Sequence, residues 1–188
     1  MVYVDDHIND FDLLAALDLL SEQRREQALR FKHEQGRRTC VLAYRLLQRA
    51  LQQEYGITAK PLFDYGEHGK PVLTGHPDIH FNMSHCREAV VCAVGNRPIG
   101  VDVESVGRYS ESLVRYTMND DEQAQIAAAE RPEVAFVRLW TMKEARLKLT
   151  GEGITNDLKT ALADSHRYRF TIVERLDRNY IYTVCEER

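Results

Sequence analysis

The chain has little of what divides or staples a fold. Five prolines and ten glycines are spread over 188 residues. No stretch is rich enough in Gly, Ser or Pro to serve as a linker, which argues for a single unit over residues 1–188. The four cysteines, Cys40, Cys86, Cys92 and Cys185, form no Cys-x-x-Cys pair; that scatter reads as reduced thiols in apolar positions, not as a disulfide framework. His76, His80 and His85 lie close in sequence, but Pro77 breaks any helix between them and no second ligand pair is near, which argues against zinc. No apolar run approaches the ~18–20 residues that span a bilayer, so no membrane partner is expected. The N-terminus, Met1-Val2-Tyr3-Val4-Asp5-Asp6, lacks the basic start and apolar stretch of a signal peptide, and the expected location is cytoplasmic. A basic surplus is missing too. The net charge of −4 argues against a nucleic-acid partner, whose binding domain would be basic.

What is present is a 44% hydrophobic share beside 29% charged residues, the balance of a soluble globular protein. The charge is uneven. Residues 22–49 hold Arg24, Arg25, Arg30, Lys32, Arg37, Arg38, Arg45 and Arg49, whereas 119–133 hold Asp120, Asp121, Glu122, Glu130 and Glu133. A basic helical region inside an acidic protein suits a local anionic ligand better than a long polyanion.

The periodicities predict an α+β chain. Residues 11–20 have helical spacing, Ser21 opens a second helix, and 37–55 carry Val41, Leu42, Leu46, Leu47, Ala50 and Leu51 on one helical face until Gly56 ends it. Prolines and glycines make 61–78 loops and short extended pieces. Strands are predicted at 79–83, 89–94 and 99–104, the last two joined by a tight turn at Asn96-Arg97-Pro98. Residues 105–118 are ambiguous. Helices follow at 120–129, with Asn119 as N-cap, and at 134–149, broken by the stretch from Gly151. Strands at 168–174 and 180–185 close the chain around a turn at Asp177-Arg178-Asn179. Thr39, Ala43 and Leu47 echo Thr141, Ala145 and Leu149; a duplicated half would explain this, and so would chance.

Two clusters of carboxylates carry the chemistry. In Gly100-Val101-Asp102-Val103-Glu104 the strand period of two sends Asp102 and Glu104 to one face, and Gly100 leaves that face open beside them. In the stretch from Trp140 to Lys148, Glu144 and Lys148 lie one helical turn apart. Trp140 starts the apolar face containing Leu147 and reads as core. Taken alone, the first cluster also fits the wet face of a sheet, and the second a surface pair worth ~0.2–0.5 kcal/mol. If the helix covers the strand, however, three carboxylates meet the ammonium groups of Lys143 and Lys148. Such a site can hold Mg²⁺ and a phosphate chain together, since Mg²⁺ takes one or two protein carboxylates plus substrate phosphates. Ser84-His85 is a poor nucleophile–base pair, because neighbours on a strand point to opposite faces.

Four segments in order, Gly69-Lys70-Pro71, Phe81-Asn82-Met83-Ser84-His85, Ile99 to Glu104 and Trp140 to Lys148, resemble the 4'-phosphopantetheinyl transferases of the surfactin-synthetase-activating type. Arg30-Phe31 and Arg38-Thr39 extend the likeness, which covers roughly residues 22 to 160. The resemblance implies a pseudo-dimer of two similar α+β halves, approximately 1–105 and 106–188, in a monomer with coenzyme A between them. It implies Mg²⁺-dependent transfer of phosphopantetheine from coenzyme A to a serine of an acyl or peptidyl carrier protein, releasing adenosine 3',5'-bisphosphate. By similarity Asp102, Glu104 and Glu144 are the metal carboxylates, and Lys143 and Lys148 lie near the phosphates. Arg38 and His85, with Ser84 beside it, would meet the 3'-phosphate, and Gly69, Lys70 and Pro71 the adenine end. Glu144 would take the serine proton, directly or through water. Arg108, Leu113, Val114, Arg115 and Tyr116 are candidate carrier contacts, because they follow the metal strand. The carrier's pathway, whether fatty-acid, polyketide or nonribosomal peptide synthesis, stays open. A Mg²⁺ phosphohydrolase or a non-catalytic coenzyme A or carrier-binding module are the alternatives. The part after Thr150 is only 38 residues, shorter than in larger members of this type.

Overall fold

The computed structural model, described over residues 1–66, 69–107, 109–151 and 158–188, opens with strand β1 (Val2–Asp5) and helices α1 (Leu13–Asp18), α2 (Glu22–Leu29) and α3 (Glu34–Tyr55). Side chains start the first two helices: Asp12 accepts from the Leu14 and Ala15 amides, and Ser21 from that of Arg24. Helix α3 buries the apolar stripe from Val41 to Leu51 and ends where Gly56 takes a left-handed φ of 69°. The loop-rich stretch that follows contains a short hairpin, β2 (Phe63–Tyr65) with β3 (Pro71–Leu73). Then come β4 (His80–His85), β5 (Val90–Gly95) and β6 (Ile99–Ser105). The ambiguous 105–118 stretch holds helix α4 (Glu111–Thr117), too short for a periodic signal but capped by Ser110. Helix α5 (Asp120–Ala127) begins at a capping box of Asn119 and Glu122. The chain closes with α6 (Pro132–Thr150), β7 (Tyr168–Arg175) and β8 (Tyr180–Glu187).

The six longer strands make two antiparallel sheets, ordered β1-β5-β4 and β6-β8-β7. Each half is thus a helix packed on a small antiparallel sheet, the α+β plan that the periodicities predict. Sheet membership changes between Gly95 and Ile99, because β6 pairs with β8. Strand β5 explains the layering. Its Val90, Cys92 and Val94 join the core under α3, while Val91 and Ala93 face Ile99, Val101 and Val103 of β6 and Tyr180 and Val184 of β8. The order is therefore helix, sheet, sheet, helix, with α6 on the outer face of the second sheet. No helix among the described residues is long and apolar enough to cross a membrane. Cys40, Cys92 and Cys185 are buried and Cys86 is half-buried, all as free thiols.

Gly100 sets how closely α6 approaches. A Cβ there would run into the Ala145 carbonyl oxygen and lie 2.6 Å from the Leu149 amide nitrogen. The sequence reading leaves this face open beside the carboxylates. In the structure the α6 backbone fills it, and that contact brings the helix against Asp102.

Candidate active site

Strand β4 lies against β6 where the two sheets meet. Among the described residues β6 has a strand partner only on its β8 side, and the Val101 amide donates instead to Asn82 Oδ1 at 3.0 Å. Beside it the Ser84 hydroxyl donates to Asp102 Oδ1 at 2.8 Å. Lys148 reaches the same atoms from α6, donating at 2.6 Å to Asp102 Oδ1 and at 2.9 Å to Ser84 Oγ. Asp102 is buried, and its second oxygen, Oδ2, has no hydrogen-bond partner among the described residues. Lys148 is 30% exposed. An open cleft of about 320 Å³ lies over this cluster, lined by Met83, Ser84, His85, Asp102, Glu104, Trp140, Glu144 and Lys148.

Most of the sequence-predicted residues therefore converge: Asp102, Glu104, Glu144, Lys148, Ser84 and His85 share one wall-to-wall cleft. Ser84 and His85 do alternate, Ser84 buried and His85 exposed, yet both line it because His85 ends its strand. Desolvation by its neighbours, and then the nearby Lys148 and Arg24 charges, lower the His85 pKa, which favours the neutral imidazole.

Lys143 is corrected. The sequence reading places it near phosphates, but the side chain is fully buried on the other side of α6. Its ammonium donates to Glu122 Oε2 at 2.6 Å and to the carbonyls of Leu158 at 2.8 Å and Thr117 at 3.0 Å. Five residues separate Lys143 from Lys148, about 1.4 helical turns, so the two project in different directions. Arg38 is not among the cleft residues either. It donates to Glu34 Oε1 at 2.7 Å and to the Phe11 carbonyl at 3.0 Å, with its guanidinium 5.3 Å from the Phe11 ring centre.

Gly69, Lys70 and Pro71 close the small hairpin. Gly69 needs its φ of 75° for the turn, and Pro71 begins β3. Lys70 leaves the turn and donates to the Leu149 carbonyl, at 2.7 Å, in the last turn of α6. Burial lowers its pKa. Lys70 and Pro71 line a separate cavity of about 60 Å³ with His76, His80 and Phe81.

Among the candidate carrier contacts, Tyr116 is 72% exposed, whereas Val114 is buried in the core of the second half. Val114 therefore does not offer a contact surface. Leu113 is half-buried, and the exposed Arg115 pairs with Glu111 at 3.4 Å. Arg108 lies outside the described residues.

Two cleft residues escaped the sequence reading. Met83 stood only inside the Phe81–His85 segment, as one of two apolar residues on its strand. Trp140 carried a signal: it lies four residues before Glu144 and eight before Lys148, on the same stripe of α6.

Comparisons with known proteins identify the family. A model of the 4'-phosphopantetheinyl transferase superfamily matches residues 98–187, the segment carrying both carboxylate clusters. The 4'-phosphopantetheinyl transferase AcpT of Salmonella typhi is 34% identical over 74% of this chain and 73% of its own length. The chain belongs to the 4'-phosphopantetheinyl transferase superfamily. Similarity to the 4'-phosphopantetheinyl transferase Sfp of Bacillus subtilis (strain 168) runs nearly end to end, at 26% identity over 98% of this chain and 89% of the relative. The 4'-phosphopantetheinyl transferase psf-1 of Bacillus pumilus is 33% identical over 77% of this chain and 63% of its own length. The similarity to Sfp thus extends across both sheets and both long helices.

Proposed function

We propose that this chain transfers 4'-phosphopantetheine from coenzyme A to a carrier-protein serine with the help of Mg²⁺, releasing adenosine 3',5'-bisphosphate. The observation that carries it is the cleft that joins Asp102, Glu104, Glu144 and Lys148 to Ser84 and His85, in a member of this superfamily. Among the described residues no three His, Cys, Asp or Glu side chains are grouped closely enough to hold a metal ion by themselves; Mg²⁺ takes one or two protein carboxylates and completes its shell with substrate phosphates and water. The buried, unpartnered Asp102 Oδ2 supports a cation there, because a buried carboxylate oxygen without a partner is costly. Asp102, Glu104 and Glu144 are the proposed holders. Bound there, Mg²⁺ would neutralise charge on the diphosphate.

The chain's own side chains do the remaining work. The serine oxygen forms a bond to the β-phosphorus, and the bond from that phosphorus to the adenosine-side bridging oxygen breaks. Negative charge grows on the departing phosphate, where the half-exposed Lys148 ammonium is a charge-assisted donor. Glu144 is the proposed acceptor of the serine proton. His85 is proposed as a donor to the 3'-phosphate, and Arg38 would join it only by exchanging Glu34 for that phosphate. Lys70 and Pro71, which line the separate small cavity, are proposed for the adenine end. Tyr116 and Arg115 are the proposed carrier contacts. This division of labour is mainly positioning and electrostatics, as in other phosphoryl transfers.

The test is incubation of the protein with coenzyme A, Mg²⁺ and a panel of apo carrier proteins, read by intact mass. A carrier that gains one phosphopantetheine with stoichiometric adenosine 3',5'-bisphosphate is the expected result. Release of free phosphate with an unmodified carrier would overturn the proposal.

A further inference from the structure

Trp140 is the only tryptophan in the chain, and its ring forms part of the cleft wall beside Glu104 and Glu144. The indole Nε1–H donates to Glu104 Oε1 at 3.3 Å. The ring itself is held: it stacks on Phe136 with centroids 6.1 Å apart and planes 25° apart. Phe136 is buried, and the Tyr109 ring packs edge-on against it at 6.1 Å and 70°. A row of three aromatics thus runs from the carboxylates to the chain entering α4. Glu104, by contrast, is half-buried near the end of β6, with three rotatable bonds and substantial rotamer entropy to lose on binding anything.

We infer that Trp140 is a positioning residue: its N–H holds one oxygen of the Glu104 carboxylate, so that this carboxylate meets the cation and diphosphate pre-oriented. The inference rests on the reading of Glu104 as part of the cation site. Its physical basis is general. A partner that donates to one ligand oxygen fixes the ligand's orientation, and loss of such a partner typically weakens metal affinity about 10–100-fold. A rigid donor is required, and the stack on Phe136 supplies the rigidity. Phenylalanine at this position would keep an aromatic ring against Phe136 but not the N–H that reaches Glu104.

Three measurements on the full chain test this. Mn²⁺ binding, followed by electron paramagnetic resonance with coenzyme A present, should weaken about tenfold or more in Trp140→Phe. The half-saturating Mg²⁺ in the transfer assay should rise in parallel, with the turnover at saturating Mg²⁺ changing less. Biosynthetic replacement of Trp140 by 3-benzothienylalanine keeps the ring's shape and replaces N–H with sulfur, so it should reproduce the loss even if the phenylalanine variant folds poorly. In the wild-type protein, the emission of the single tryptophan should shift as cation and coenzyme A bind. If wild type binds Mn²⁺ but both replacements bind it equally well, the inference is overturned while the cation reading stands. If wild type itself binds no Mn²⁺ with coenzyme A present, the cation reading fails and takes this inference with it.

Discussion

Lys143 and Lys148 project from the same helix, and each meets a carboxylate at 2.6 Å. Around Lys143 everything is closed. The side chain is 0% exposed and its ammonium donates to Glu122, Thr117 and Leu158, and Glu122 also accepts from the Asn119 amide at 2.9 Å. Around Lys148 the arrangement is open: the side chain is 30% exposed, Asp102 keeps a buried oxygen with no partner among the described residues, and the cleft lies alongside. A fully satisfied buried pair holds parts of a protein together. A partly satisfied pair at the mouth of a cleft is held ready for something else. The contrast separates a structural tie from a proposed binding site on one helix, and it is open to attack from either side.

The largest effect is expected at the closed pair. Lys143→Met leaves the Glu122 carboxylate buried without its cation, a change that typically costs about 3–5 kcal/mol. For a chain of this size that lowers Tm by roughly 6–20 °C, measurable by circular dichroism melting. A melting point within a degree or two of wild type would mean that Glu122 reaches water and that the clasp between α6, α5 and the end of α4 is weak.

At the open pair the expected loss is in rate. Asp102→Ala removes the central acceptor of the Ser84 and Lys148 hydrogen bonds, but Lys148 is already partly solvated and tolerates the change. Transfer to an apo carrier should fall by about 10²–10³-fold, with Tm within a few degrees of wild type. Near-normal turnover in this variant would end the assignment of Asp102 to the cation site.

The same contrast shows what one-dimensional reading can reach. The period-two face of β6 was legible because Ile99, Val101 and Val103 declare which side is core, and Asp102 and Glu104 must take the other. The stripe of Trp140, Glu144 and Lys148 on α6 was present in the spacing too. It competed with a second stripe of equal regularity, in which Trp140 joins Leu147 as core, and only the docked strand decides the rotation. Lys143 was out of reach for a different reason. Its partner Glu122 lies 21 residues away on another helix, and no local pattern announces a long-range pair. Helix α4 was missed because seven residues hold too few apolar positions to show a period, and its start depends on one serine cap.

The smallest effect should come from neutralising both members of the closed pair. In Lys143→Met combined with Glu122→Gln, no charge is left buried. The glutamine still accepts from the Asn119 amide, so the capping box at α5 survives. What remains lost is the donor to the Thr117 and Leu158 carbonyls, a residual destabilisation of about 1–3 kcal/mol. The double variant should therefore melt closer to wild type than Lys143→Met does. Its turnover per folded molecule should stay within about threefold of wild type, a free-energy change under about 1 kcal/mol. A double variant that regains stability yet transfers nothing would show Lys143 touching substrate after all, and the distinction between the two lysines would fail at the residue on which it was drawn.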